Sequence, residues 1–124
     1  MAERIILWLN TSHIIIQYYA EILDGIYGSI ILIVPEIYEA WHAGKSNWKN
    51  DKSLNKSSIG IEISNKGHQF GYENFSKEQI KSLVKLSKYL IKKYKIKKAN
   101  VLGHSDISFN RKKDPGEKFP WENL

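Results

Sequence analysis

His104, Lys112 and Asp114 lie on a turn-rich segment near the end of the sequence, and Pro115 and Gly116 follow the aspartate directly. An imidazole and a carboxylate are both donors that zinc accepts, and a catalytic zinc site uses three protein ligands together with water. The spacing alone is weak support, because a histidine and an aspartate occur at that separation by chance in many proteins. From the segment as a whole, we predict that His104 and Asp114 supply two of the three ligands of a zinc site.

The composition limits what such a site can contain. The sequence has 124 residues and no cysteine, which excludes disulfides, thiolate metal sites and a cysteine nucleophile. A metal must then be held by histidine, aspartate or glutamate. The length predicts a single domain over residues 1–124. The apolar run from Ile5 to Leu9 is too short for a secretory signal or a membrane span, so we expect a cytoplasmic chain with no membrane segment.

The net charge of +6 raises the question of an anionic partner. Nine of the nineteen basic residues are lysines between Lys77 and Lys98, largely on the polar face of one predicted helix, where a solvated surface is the usual explanation. Binding of nucleic acid would need aromatic stacking positions or a reading helix among these lysines, and only Tyr89 and Tyr94 occur there. We therefore expect no nucleic acid partner.

Strands and a loop precede that helix. Ser12 to Tyr19 and Ile30 to Val34 are apolar and β-branched runs, separated by turn residues, and predict two neighbouring strands. Ala40 to Ser58 is polar without sustained periodicity and predicts a long loop of the kind that carries function. Ile59 to Ser64 alternates strictly, which places Glu62 on the face opposite the three isoleucines, beside a glycine that leaves room for another group.

The helix leads to the histidine through a short strand. Ser76 to Gln79 has the sequence of a capping box, and apolar residues follow at helical spacing until the helix is expected to end within Tyr94 to Lys97. Asn100 to Gly103 then predicts a strand with His104 at its carboxyl end. Open α/β sheets bind their ligands at that end of their strands.

Several short motifs, in this order along the chain, resemble the signature of one known family. They are Trp41 to Trp48, Ser58 to Asn65, Gly103 to Ile107, Arg111 with Lys112, Asp114 to Gly116, and Phe119 to Trp121. The family is that of the zinc-dependent N-acetylmuramoyl-L-alanine amidases of the AmpD and AmiD type. The resemblance covers about residues 12–121.

The resemblance implies both a fold and a reaction. The fold is α/β, a single domain with a mixed central β-sheet flanked by helices, similar to peptidoglycan-recognition domains. The reaction is hydrolysis of the amide bond between N-acetylmuramic acid and L-alanine in bacterial cell-wall peptidoglycan or in muropeptides. It implies one Zn²⁺ as cofactor and peptidoglycan or a muropeptide as partner. For a full-length member of the family, the cell envelope is an alternative location.

The resemblance also assigns roles to four residues. His104 and Asp114 match the second and third zinc ligands of the family. Glu62 matches the glutamate taken as the general base, and Lys112 matches the lysine that stabilises the oxyanion. These roles agree with general chemistry, because a carboxylate within hydrogen-bond reach can accept a proton from water and a cation can stabilise developing negative charge.

Three further residues are candidates for binding substrate. Trp41 and His42 either line a groove for peptidoglycan or only hold the long loop in place. Arg111 is the third candidate, and both Arg111 and Lys112 have the alternative of being simple surface charges.

The start of the sequence departs from the family pattern. The first zinc histidine of the family lies near the end of an initial strand, well before a block that Thr11 to Ile14 resembles. No histidine precedes His13. We therefore expect an N-terminally shortened chain, in which the first strand and the first ligand are lost or are replaced by Arg4 to Asn10. Glu3 and Asn10 are poor substitutes for a histidine ligand, and His13 could serve only if the N-terminus were rearranged.

Two expectations follow from this departure. Loss of the first strand would leave its neighbour with an unpaired edge, which favours aggregation or dimerisation. Loss of the ligand gives an alternative function, a catalytically inactive relic or peptidoglycan-binding module that recognises muropeptide through a groove around Trp41, His42 and Trp48.

Overall fold

The computed structural model describes residues 2–8, 17–23, 26–34 and 38–124. These residues form one mixed sheet of five strands in the order β3-β2-β4-β1-β5. The strands are β1 (Ala2–Trp8), β2 (Gln17–Leu23), β3 (Ile26–Val34), β4 (Ser58–Ser64) and β5 (Val101–Gly103). The helices are α1 (Lys77–Tyr94) and the short α2 (His104–Ile107). The expected α/β fold with a mixed central sheet is confirmed.

β4 lies in the middle of the sheet, with an apolar core on one face and the candidate site residues on the other. It runs parallel to β2 and antiparallel to β1. Ile59, Ile61 and Ile63 are fully buried in a core that also includes Leu83 and Leu90 of α1. The opposite face of the strand carries its glycine and its glutamate, as the alternating pattern predicts.

β1 occupies the place between β4 and β5 and is antiparallel to both. Ile5 and Leu7 join the core under α1, while Ile6 joins a second apolar cluster on the other face. All three side chains are fully buried, as expected for a strand covered on both faces. This place in the sheet is thus filled, in agreement with the second expected alternative, in which the first strand is replaced; of the range Arg4 to Asn10, residues 4–8 lie in β1. The unpaired edge expected on its neighbour does not arise, because β4 is paired on both sides.

β2 and β3 form an antiparallel pair, which confirms the two neighbouring strands. Residues 12–16 of the predicted first run, including His13, lie outside the described residues. α1 begins with the predicted capping box, in which the Ser76 Oγ accepts from the Gln79 backbone N at 3.1 Å and the Gln79 Oε1 accepts from the Ser76 backbone N at 3.0 Å. Among the helices of the described ranges, none is both long and apolar enough to cross a membrane.

Candidate active site

The candidate site lies at the edge of the sheet where β4 and β5 end and β1 begins. Both β4 and β5 are antiparallel to β1, so their carboxyl ends meet its amino end. Glu62 is paired with Arg4, and Gly103 is paired with Ile5. His104 follows β5 directly, at the first position of α2. The predicted placement of the histidine at a strand end is thus confirmed.

His104 and Asp114 are in direct contact. The Nδ1 of His104 is 3.1 Å from the Oδ2 of Asp114, and its Nε2 is 2.9 Å from the carbonyl oxygen of Ala43. A carbonyl can only accept, so the Nε2 atom carries a proton and donates it to Ala43. In a neutral imidazole the lone pair is then on Nδ1 and faces a carboxylate oxygen. Two acceptors at this distance repel each other unless a proton or a metal ion lies between them.

This arrangement fits a metal ligand pair. Histidines that bind metals commonly donate their other ring N–H to a backbone carbonyl or a carboxylate, which fixes the tautomer. The backbone also holds the aspartate, because the Ser105 backbone N donates to the Asp114 carbonyl oxygen at 2.9 Å. The donors of His104 and Asp114 are both of the type that zinc accepts.

The surroundings of Asp114 favour its ionised form. Burial opposes ionisation and is the largest single influence on the pKa, but the hydrogen bond and charge of His104, together with backbone N–H groups, outweigh it. Together, these opposing influences hold the pKa of Asp114 below its ordinary value. One of these groups is the backbone N of Arg4, which donates to the Oδ2 atom at 2.9 Å. Asp114 is therefore a carboxylate whose Oδ2 atom already faces His104 and the backbone N of Arg4.

Arg4 makes the closest contacts to Glu62. Its Nε is 2.7 Å and its Nη2 is 2.6 Å from the Oε1 of Glu62, and its Nη1 donates to the His42 carbonyl oxygen at 3.2 Å. Arg4 was not among the candidate site residues predicted from the sequence. A signal was available, since an arginine directly before a run of apolar residues in a strand becomes partly buried and then needs a carboxylate partner. Which carboxylate it would meet depended on the pairing of β1 with β4.

The two candidate substrate-binding residues of the long loop have opposite exposures. Trp41 is 85% exposed, whereas His42 is fully buried. The His42 ring lies 3.0 Å from the Ala40 carbonyl through Nδ1 and 2.7 Å from the Ser58 Oγ through Nε2. Burial, followed by the nearby charge of Arg4, lowers the pKa of His42 to about 4 even though the Ala40 bond opposes it. The ring is neutral at pH 7 and holds the loop against β4.

Arg111 and Lys112 lie apart from Glu62. The Arg111 Nη2 donates to the carbonyl oxygens of Ala43 and Lys45, both at 3.0 Å. These hydrogen bonds hold the long loop against the C-terminal segment that contains Arg111. Lys112 lines a cleft together with His68, Ser105, Asp106 and Glu117. Glu62, His104 and Asp114 do not line that cleft. The structure therefore brings Asp114 to His104, and Glu62 to Arg4, but it does not place Lys112 against them.

Among the described residues, a third protein donor is not found beside the His104 and Asp114 pair. Within the parts of the chain that the structure describes, no group of three histidine, aspartate or glutamate residues is arranged to hold a metal ion. The carboxyl end of β1 cannot supply one, because Trp8 is paired with Ser58 at the start of β4, on the opposite edge of the sheet. Instead, the amino end of β1 brings Arg4 to the site.

Comparisons with known proteins agree with this geometry. Residues 9–117 match the family described as Amidase_2, N-acetylmuramoyl-L-alanine amidase. The chain is 45% identical over 97 residues to the N-acetylmuramoyl-L-alanine amidase AmiD of Escherichia coli, covering 74% of this chain and 35% of that protein. It is 43% identical over 84 residues to the 1,6-anhydro-N-acetylmuramyl-L-alanine amidase AmpD of Haemophilus influenzae, covering 67% of this chain and 44% of that protein.

Solved structures show the same relationship. A complex of Escherichia coli AmiD with anhydro-N-acetylmuramic acid-L-Ala-D-gamma-Glu-L-Lys has a TM-score of 0.72 at 39% identity, covering 85% of this chain and 44% of that one. AmpDh3 of Pseudomonas aeruginosa has a TM-score of 0.78 at 37% identity, covering 92% of this chain and 50% of that one. The chain thus spans between about a third and a half of the length of these relatives. With the family matched over residues 9–117 and the fold shared, the chain belongs to the N-acetylmuramoyl-L-alanine amidase family.

Proposed function

We propose that this domain hydrolyses the amide bond between N-acetylmuramic acid and L-alanine in muropeptides or peptidoglycan. The family membership supports the reaction class, and the relatives named above support the type of bond. The observation that carries the proposal is the contact of His104 Nδ1 with Asp114 Oδ2 at 3.1 Å, with the other ring nitrogen fixed on the Ala43 carbonyl. This contact supports a metal-ligand arrangement, and it lies at the carboxyl end of a strand, where open α/β sheets bind their ligands.

His104 and Asp114 would hold a zinc ion in this proposal. Zinc supplies Lewis acidity, which makes water a nucleophile near neutral pH and polarises a carbonyl group. Two protein ligands give a weaker site than the usual three, because solvent must take the remaining positions. We therefore expect the zinc affinity of this chain to be modest.

Glu62 is the carboxylate proposed to accept the proton from water. It lies on β4 facing the side of the sheet that carries His42, and its side chain is 10% exposed. A base held in a largely buried place by a fixed partner keeps one orientation. Lys112 is proposed to stabilise the negative oxygen that develops on the carbonyl, for which it must reach across from its cleft when substrate is bound.

The exposed Trp41 is proposed as a contact for the muropeptide. Trp41 is 85% exposed, and it lies at the start of the loop that Arg111 holds against the C-terminal segment. A large aromatic face held on an anchored loop can pack against a sugar ring at low conformational cost. The AmiD structure that resembles this chain contains an anhydromuramoyl tripeptide, which makes this compound the suitable first substrate to test.

The experiment is hydrolysis of that tripeptide by the purified full chain, followed by mass spectrometry. Release of anhydro-N-acetylmuramic acid and free peptide is expected with added zinc and is expected to stop with a chelator. His104→Ala and Asp114→Ala are each expected to reduce the rate at least about a hundredfold. Lys85→Gln on the distant helix face is the control and should leave the rate unchanged. Equal rates in the control and in both site variants would refute the proposal.

A second function, binding of muropeptide without hydrolysis, is favoured by one observation. The guanidinium of Arg4 is bound to the proposed base in the structure. Calorimetry with the same tripeptide distinguishes the two functions, since binding at full occupancy without product, in the presence of zinc, would identify a binding module.

A further inference from the structure

Arg4 connects the two carboxylates of the candidate site. Its guanidinium binds the Glu62 Oε1 through two nitrogens, at 2.7 and 2.6 Å. Its backbone N–H donates to the Asp114 Oδ2 at 2.9 Å, the same oxygen that faces His104. A single residue of β1 therefore contacts the proposed base and a proposed metal ligand at once.

The contact is held by the fold and is not a chance meeting of surface side chains. Arg4 and Glu62 are directly paired residues of β1 and β4, and β1 is fixed on both sides by hydrogen-bonded neighbours. The side chains are 28% and 10% exposed, so solvent screens their charges only in part. A third hydrogen bond, to the His42 carbonyl oxygen, sets the direction of the guanidinium.

We propose that Arg4 is a built-in cation that competes electrostatically with a divalent metal for this site and so sets its metal affinity. The inference rests on the metal centre of the proposed function. Arginine stays charged at any pH at which the protein folds. A fixed positive charge bound to Glu62 satisfies part of the negative potential that would attract the metal, and it repels the incoming ion.

The expected effect can be stated from charge alone. Removing one positive charge several ångströms from a divalent ion, in a partly solvated place, changes the affinity by about tenfold or more. Arg4→Gln should therefore bind zinc at least about tenfold more tightly than the wild-type chain. Arg4→Lys keeps the charge and should stay close to wild type. Glu62→Gln leaves the charge of Arg4 without its carboxylate partner and should bind zinc more weakly.

The experiment is titration of the full chain with zinc chloride by isothermal calorimetry, with His104→Ala as the baseline for binding elsewhere. Lys85→Gln is the charge-matched control and should behave as wild type. Thermal melting of each variant checks that it is folded. If Arg4→Gln fails to fold, the double variant Arg4→Gln/Glu62→Gln is compared with Glu62→Gln, and the double variant should again bind more tightly.

Three results would overturn the inference. Equal, measurable affinities of Arg4→Gln and Lys85→Gln would show that Arg4 does not control the metal, and the metal centre itself would stand. Binding of zinc by Arg4→Lys as tight as that by Arg4→Gln would assign the effect to the shape of the side chain instead of its charge. No zinc binding above the His104→Ala baseline in any variant would remove the proposed metal centre and this inference together.

Discussion

At the residue scale, Gly60 lets the loop histidine lie directly on the sheet. A Cβ at this position would be 2.6 Å from the Cγ of His42, closer than two carbons can approach. The histidine ring is fully buried and cannot swing outward without losing the Ser58 hydrogen bond. Gly60→Ala must therefore displace the ring or the strand.

We predict that Gly60→Ala lowers the free energy of unfolding by about 1–3 kcal/mol, the usual cost of overpacking a core. Urea denaturation followed by circular dichroism measures it. The double variant with His42→Ala should lose less stability than the sum of the two single variants, because the ring that clashes is gone. Strictly additive losses would mean that the alanine is accommodated without contact to His42.

The residues of the site differ in how far sequence could predict them. His104, Asp114 and Glu62 stand in local motifs, and the glycine beside Glu62 was expected to leave room for another group, which proves to be His42. Arg4 carries no motif. Its role depends on which strand β1 joins and in which register, and both are decided by contacts between residues far apart in the sequence.

At the element scale, α1 and β4 follow from local signals, whereas β1 does not. α1 has a capping box and a helical repeat, and β4 alternates strictly, so each is specified by its own residues. β1 is a short apolar run whose strand state depends on pairing with β4 and β5. The pairing satisfies backbone groups on both of those strands, which gives the run a place that its own sequence does not reveal.

Burial of Ile5 tests this placement of β1. The side chain is 0% exposed between β4 and β5, whereas Ile30 on the outer strand β3 is 40% exposed. Ile5→Val should cost about 0.5–1.5 kcal/mol and Ile5→Ala about 2–5 kcal/mol in the free energy of unfolding. The matched changes at Ile30 should cost clearly less. Chemical denaturation of the four variants measures both pairs, and equal losses at the two positions would argue against a central β1.

At the scale of the whole molecule, the direction of β1 determines the chemistry at the site. A strand that entered in the opposite direction would bring its carboxyl end to His104 and could supply a ligand there. In this fold the amino end arrives instead, with Arg4. The chain spans between about a third and a half of the length of the relatives that it matches.

The stability of the whole molecule should fall in mild acid because of His42. Burial lowers the pKa of this residue from 6.5 to about 4, so between these values the unfolded chain binds a proton that the folded chain does not. The contribution of the neutral His42 to folding stability is therefore fully present above pH 6.5. It is lost as the pH falls towards 4, by up to about 1.4 kcal/mol per pH unit. The lowered pKa of Asp114 changes the folding stability only at pH values below 3.8, the ordinary pKa of an aspartate. Burial raises the pKa of Glu3, which adds stability at low pH and opposes the loss only near and below that raised value.

The window between pH 6.5 and 5 should consequently report on His42. Urea denaturation at several pH values in this range should show a decline for the wild-type chain and a much flatter profile for His42→Gln, whatever the absolute stability of that variant. Phe109→Leu, at an exposed side chain without a titratable group, is the control and should keep the wild-type slope. If His42→Gln and the wild-type chain decline in parallel, another group titrates. That result would contradict a loop held by a buried, neutral imidazole that packs over Gly60.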